Sequence, residues 1–256
     1  MKAFDSDGVR IAYVDVPPTV RDGPGDPVLL IHGFASNHVV NWLQTFWIRT
    51  LTGAGYRVVA LDNRGHGESE KLYDPAAYHS QIMAEDARRL LDHLGLPRAD
   101  VMGYSMGARI TAYLALAHPQ RVRSALISGL GSHLVEGVGL PLGLADGLEA
   151  PSLEGLTDPM QRMFRSFAEQ TGSDLKALAA CIRGSRQVLT RDEARQIRMP
   201  TLISIGTKDT VSGPPGPLAA LLPQAQVVDI PNRDHNLAVG DKVHKQGVLA
   251  FLAERP

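Results

Sequence analysis

One serine in this chain stands where a serine can do chemistry. The stretch Gly103-Tyr-Ser-Met-Gly107 sets Ser105 between two glycines, and the spacing G-x-S-x-G occurs once in the 256 residues. A serine hydroxyl is a weak nucleophile at neutral pH. It needs a base to take its proton and an acid to orient that base. Nine histidines and 27 carboxylates are available, so position along the chain must select among them. A plain turn serine is the competing reading. Other chemistries lack their residues. No Gly-x-x-x-x-Gly-Lys-Ser/Thr phosphate loop exists, and no histidine–carboxylate spacing suggests a metal site. Neither a cofactor nor a metal is expected.

The elements around Ser105 alternate between strand-like and helix-like. Short apolar runs occur at Val28–Ile31, Arg57–Leu61, Asp100–Met102, Ala125–Ile127, Thr201–Ile205 and Val227–Ile230. Runs that are apolar throughout suit strands covered on both faces, as in a parallel sheet. Between them, apolar or small residues at Met83, Ala87, Leu90, Leu91 and Leu94 trace one helix face, stopped by Gly95 and Pro97. Met106 to His118 reads as a helix ended by Pro119, and Thr190 to Glu193 has capping-box spacing. The tail from Asp241 to Ala253 reads as a last helix. Strand and helix in alternation predict an α/β fold with a mostly parallel sheet.

Residues 131–189 break this rhythm. They open on a loose Gly- and Leu-rich stretch and continue with helical segments near Met160–Thr171 and Asp174–Ile182. The length exceeds a plain connection between strands. One domain is expected over residues 1–256, its core at about 1–130 and 190–256, with a small helical lid at about 131–189.

In that frame Ser105 sits where a strand ends and a helix begins. Gly103 and Gly107 leave room for a tight turn, which lifts the hydroxyl to the carboxyl edge of the sheet, where ligands bind. The Met106 N–H then lies at a helix N-terminus, a good place for a developing anion. This is the nucleophile-elbow pattern, whose triad runs Ser, Asp, His along the chain. His235 follows the last strand and precedes the last helix. Asp209 leaves the strand at Thr201–Ile205. Asp234 directly precedes His235 and points elsewhere, and Asp229 lies within a strand. No carboxylate occurs between Gly129 and Glu136. Asp62 and Arg64 are read as ordering loops, and His66 as bonding within its turn.

The chain resembles the α/β-hydrolases, of the lidded single-domain esterase type. The likeness rests on Leu30-Ile-His-Gly-Phe34, Asp62-Asn-Arg-Gly-His-Gly-Glu-Ser69, Gly103-Tyr-Ser-Met-Gly107, Gly206-Thr-Lys-Asp209 and Asp234-His235, in that order. It implies that the Phe34 N–H joins the Met106 N–H in an oxyanion hole. Losing one such donor typically costs about 3 kcal/mol of transition-state stabilisation. It also implies that His32 braces the oxyanion loop. The dehalogenase and epoxide-hydrolase branches carry an aspartate at the elbow, so Ser105 argues against both.

Composition narrows the setting. Net charge is −1, with 44% hydrophobic and 21% charged residues, which offers no footprint for nucleic acid or anionic membrane. The lone Cys181 cannot form an internal disulfide, and no signal-like or spanning apolar run is present. A cytoplasmic protein is expected, with no nucleic-acid or membrane partner. Oligomeric state is not legible. The expected function is a cofactor-independent serine hydrolase cleaving carboxylic esters of small to medium acyl groups, with water as second substrate. Its activity should fall on the acid side of neutrality as His235 takes a proton. Enol-lactone hydrolysis is the alternative, since Arg183 and Arg186 offer groups for a substrate carboxylate. Perhydrolysis and C–C hydrolysis use the same triad. A ligand receptor on the same fold is the non-catalytic alternative.

Overall fold

A computed structural model of the chain describes residues 1–20, 23–137 and 140–255. Its centre is an eight-stranded sheet formed by β1 (Lys2–Ser6), β2 (Val9–Val16), β3 (Pro27–Ile31), β4 (Arg57–Leu61), β5 (Ala99–Tyr104), β6 (Val122–Ser128), β7 (Thr201–Gly206) and β8 (Ala225–Ile230). The strands lie in the order β1-β2-β4-β3-β5-β6-β7-β8. From β4 to β8 every pairing is parallel; β2 pairs antiparallel with both β1 and β4.

The apolar runs face two cores because successive strand residues point to opposite sides. Leu29, Ile31, Val59, Leu61, Val101, Ile127 and Ile203 pack into one core. Val28, Leu30, Val58, Ala60, Met102, Leu126 and Leu202 pack into the other. Helices α2 (Ser80–His93) and α3 (Met106–Ala117) cover the first face. Helix α1 (Trp47–Gly53) and the last helix, α9 (Lys242–Glu254), cover the second. Between β6 and β7 lie α4 (Gly143–Glu149), α5 (Pro159–Gln170), α6 (Leu175–Gly184) and α7 (Arg191–Ala194), and α8 (Pro215–Ala219) follows β7. The capping box read from Thr190 and Glu193 forms with both of its bonds.

The topology sets up the site. After β3 the chain moves to β4 on one side; after β4 it returns to β5 on the other. The carboxyl ends of β3 and β5 are therefore neighbours at a switch point, with Ile31 paired to Gly103. Loops leaving these two strands, and those leaving β7 and β8, meet at one edge.

Two strands escaped the sequence reading, β1 and β2. Their turn carries a hairpin signal, Asp7-Gly8, with φ of 58° and 80°. Helices α1, α4 and α8 also went unread. They are 7, 7 and 5 residues long, too short for a clear helical period.

Candidate active site

Ser105 ends β5 and starts α3 with φ 55° and ψ −111°. A non-glycine residue pays for that conformation, so its neighbours must hold it there. Gly103 and Gly107 do so by close approach. A Cβ at Gly103 would overlap the Gly107 carbonyl, and a Cβ at Gly107 would overlap that of Ile31. The Ser105 N–H donates to the Ser128 carbonyl at 2.8 Å, anchoring the turn to the end of β6.

The three residues selected in sequence meet at this edge. His235 Nε2 lies 3.0 Å from Ser105 Oγ. His235 Nδ1 lies 2.8 Å from Asp209 Oδ2. With Nδ1 carrying the ring proton and donating it in a hydrogen bond to Asp209, the Nε2 lone pair faces the serine hydroxyl. The Asp209 side chain has no exposure and that of His235 has 16%. Burial pushes the Asp209 carboxyl up, but hydrogen bonds from His235, the Ser212 hydroxyl and the Val211 N–H outweigh it and hold the group below the usual carboxylate value.

The other carboxylates sit elsewhere. Asp234 accepts from the Asn236 and Leu237 N–H groups within its own turn. Asp229 is exposed on β8, and Glu136 is exposed beside Arg191. Asp62 is fully buried behind the β3 loop and accepts from both the backbone N–H and the Nδ1 of His38. Arg64 makes a two-pronged pair with Asp86 away from the serine.

Phe34 belongs to the loop after β3, beside the elbow. Its N–H takes no acceptor among the described residues, and the Met106 N–H opens α3. The first turn of a helix leaves its N–H groups free. His32 braces this loop from below. Its Nδ1 donates to the Gly33 carbonyl at 2.7 Å, and its Nε2 accepts from the Asn63 N–H at 2.9 Å.

Residues 26–175 match a family described as having the alpha/beta hydrolase fold. The chain belongs to the α/β-hydrolase family. Among curated proteins it is similar to a dihydrolipoyllysine-residue acetyltransferase component of the acetoin cleaving system from Pseudomonas putida. That match is 32% identical over 247 residues, covering 89% of this chain and 64% of the relative. It is also similar to epoxide hydrolase B of Mycobacterium tuberculosis, 40% identical over 115 residues, covering 44% of this chain and 31% of the relative. Among solved structures, a hydrolase from Pseudomonas aeruginosa PA01 superposes with a TM-score of 0.78 at 25% identity, covering 98% of this chain and 97% of that one. The chain spans less than two thirds of the length of both curated relatives.

Two residues of this α/β-hydrolase that sequence reading left out or undecided stand behind the triad. The Ser212 hydroxyl donates to Asp209 Oδ2 at 2.6 Å, the same oxygen that holds His235. Tyr104, undecided in sequence, points beneath the site. Its hydroxyl donates to the His235 carbonyl at 2.6 Å, and its ring centroid lies 5.5 Å from the imidazole. Only the fold shows this contact, because 131 residues separate the partners. Tyr104→Phe should lower kcat about five- to tenfold with KM little changed, the effect of about 1 kcal/mol from one buried hydrogen bond. Steady-state kinetics on an aryl ester would show it; an unchanged kcat would remove Tyr104 from any positioning role.

Two chambers open at Ser105. One has a volume of about 370 Å³ and is walled by Phe34, Val40, Met163, Phe164, Phe167 and Val239. The other, about 40 Å³, shares Phe34, Ser105 and Leu140 with the first and has Arg109 and Arg186 in its wall. Arg183 faces away from both and pairs with Glu149 and Asp146. No group of three or more histidine, cysteine or acidic side chains could hold a metal among the described residues. No helix there is long and apolar enough to cross a membrane.

The buried histidines set an acid limit on stability. Burial, with help from nearby His32, pushes His66 down to about 3; burial pushes His244 down to about 4. The unfolded chain protonates these groups near pH 6.5. Their stabilisation is therefore complete above that pH and is lost progressively as pH falls toward the folded values. Each such imidazole costs up to about 1.4 kcal/mol per pH unit in that window, and each kcal/mol lowers Tm by about 2–4 °C. Asp62, held at about 2 because its hydrogen bonds outweigh burial, adds a further loss below about pH 4. Thermal melts from pH 7 to 5 should show a falling Tm; a flat Tm would contradict neutral burial.

Proposed function

We propose that this α/β-hydrolase is a cofactor-independent serine hydrolase acting on carboxylic esters of small to medium acyl groups. The observation that carries the reading is the continuous relay from Ser105 Oγ through His235 to Asp209, at 3.0 and 2.8 Å. Ser105 Oγ attacks the acyl carbon as His235 Nε2 takes its proton. The carbonyl oxygen becomes an oxyanion and sits on the Phe34 and Met106 amides. The tetrahedral intermediate collapses, His235 returns the proton to the leaving alkoxide, and the alcohol departs. Water, deprotonated by His235, then attacks the acyl-enzyme; the second intermediate releases the acid and restores Ser105.

The larger chamber supports an apolar group of limited size. Its volume of about 370 Å³ lies near the lower end of small-molecule sites. The likeness to epoxide hydrolase B does not extend to the elbow chemistry, because Ser105 stands where that branch carries an aspartate. Enol-lactone hydrolysis, perhydrolysis and C–C hydrolysis draw on the same triad and separate from ester hydrolysis in a substrate panel. A non-catalytic receptor needs no activated serine.

Labelling with a fluorophosphonate distinguishes a hydrolase from a receptor. Intact-mass measurement should show one adduct on the protein and none on Ser105→Ala. An unlabelled protein that also fails to turn over a series of p-nitrophenyl esters would refute the reading.

A further inference from the structure

The small chamber has a charge problem that the hydrolase chemistry does not explain. Among the described residues three arginines are buried: Arg64, Arg109 and Arg165. Arg64 is paired with Asp86 and Arg165 with Glu169. Arg109, with 5% exposure, meets no carboxylate among the described residues. Its guanidinium donates to the His133 and Gln187 carbonyls, both at 2.7 Å, and less closely to those of Leu134 and Gly137. Carbonyls satisfy its N–H groups but supply no full negative charge. Buried charges ordinarily have a counter-charge.

Arg186 lies in the same wall and has the same deficit. It is half-buried, and its one hydrogen bond runs from Nη1 to the Leu140 carbonyl at 2.6 Å. Its Nε and Nη2 make no hydrogen bond among the described residues. Arg183, three residues earlier, is neutralised outside the chambers by Glu149 and Asp146. The two unneutralised cations therefore share one small chamber with Ser105 and Met106. The chamber is small, about 40 Å³, and a carboxylate is a compact anion.

We propose that this chamber seats a carboxylate of the substrate. Arg186 binds it through its free N–H groups, and Arg109 adds its field. The larger chamber takes an apolar group on the other side of the scissile bond. The substrate class is then a bipartite ester, charged at one end and apolar at the other. This rests on the serine-hydrolase reading above. A neutral substrate would leave both guanidinium groups desolvated and uncompensated, which is how a polar site rejects an analogue lacking the matching group. The planar guanidinium also suits a carboxylate geometrically.

Paired substrates test the proposal. One pair carries the charge on the acyl side: mono-p-nitrophenyl glutarate and its methyl-capped diester. The other carries it on the alcohol side: O-butyryl glycolate and its methyl ester. In at least one pair the charged member should have a kcat/KM at least about tenfold above its neutral partner. In Arg186→Gln that ratio should fall toward one, and in Arg186→Lys it should be partly retained. No preference in either pair overturns the proposal, and so does a preference that survives Arg186→Gln. If no ester in either pair is cleaved and the fluorophosphonate adduct is also missing, the hydrolase reading has failed and takes this one with it. If neutral esters are cleaved without charge preference, only the carboxylate seat has failed.

Discussion

Ser105→Ala is expected to lower kcat for a p-nitrophenyl ester by about 10⁵- to 10⁶-fold while leaving the fold intact. The size of the loss follows from what the hydroxyl does. In the proposed mechanism it supplies the bond-forming atom, so its removal would leave water to attack a carbonyl polarised by the Phe34 and Met106 amides. Those amides belong to the backbone and stay in place, which is why some rate above the uncatalysed reaction should remain. The fold should not suffer. Ser105 makes no side-chain capping bond to α3, and Gly103, Gly107 and the bond to the Ser128 carbonyl hold the turn. Alanine meets the same backbone strain as serine at φ 55°. Tm should therefore match or exceed that of the parent, as expected where a site holds strain for function. Kinetics and a thermal melt on one preparation check both halves. A variant within about tenfold of the parent rate would place the nucleophile elsewhere.

The sequence showed the corners of the site more clearly than its walls. Ser105, Asp209 and His235 each follow an apolar run, and the switch between β3 and β5 turns that pattern into proximity. A strand end is legible because burial on both faces leaves a continuous apolar run. The contacts around the triad carry no such period. Tyr104 reaches His235 across 131 residues, and Ser212 reads as an ordinary loop serine until its hydroxyl is seen on Asp209. Arg109 and Arg186 are the sharpest case. Sequence picks out Arg183 and Arg186 together as cations, but only the fold shows Arg183 paired with Glu149 and Arg186 lining a chamber with Ser105. Arg109, one helical turn beyond Ser105, reads as a polar helix residue. Its partners are backbone carbonyls, which every residue has. The Asp7-Gly8 turn is different, because its hairpin signal was present in the sequence and went unused.

Asp209→Asn is expected to lower kcat by about 10⁴-fold, nearly as severe a loss from a change of one atom. The cause is the tautomer of His235. Asp209 Oδ1 accepts the Val211 and Ser212 N–H groups at 2.8 and 3.0 Å. In asparagine the carbonyl oxygen keeps these two donors, so the amide NH₂ takes the place of Oδ2 opposite His235. An NH₂ there donates to Nδ1 instead of accepting from it. His235 then carries its proton on Nε2, facing Ser105 Oγ, and has no lone pair with which to take the serine proton. The Ser212 hydroxyl, which now donates to Oδ2 at 2.6 Å, would have to turn and accept. The loss is thus electronic, in a side chain of nearly unchanged shape, and the circular dichroism spectrum should match that of the parent. Fluorophosphonate labelling should slow in parallel, because it needs the same proton transfer. Asp234→Asn supplies the contrast. Asp234 holds the Asn236 and Leu237 N–H groups through one oxygen, and asparagine can do the same. Its rate should stay near that of the parent. The opposite pattern, with Asp234→Asn inactive and Asp209→Asn close to normal, would reassign the orienting acid.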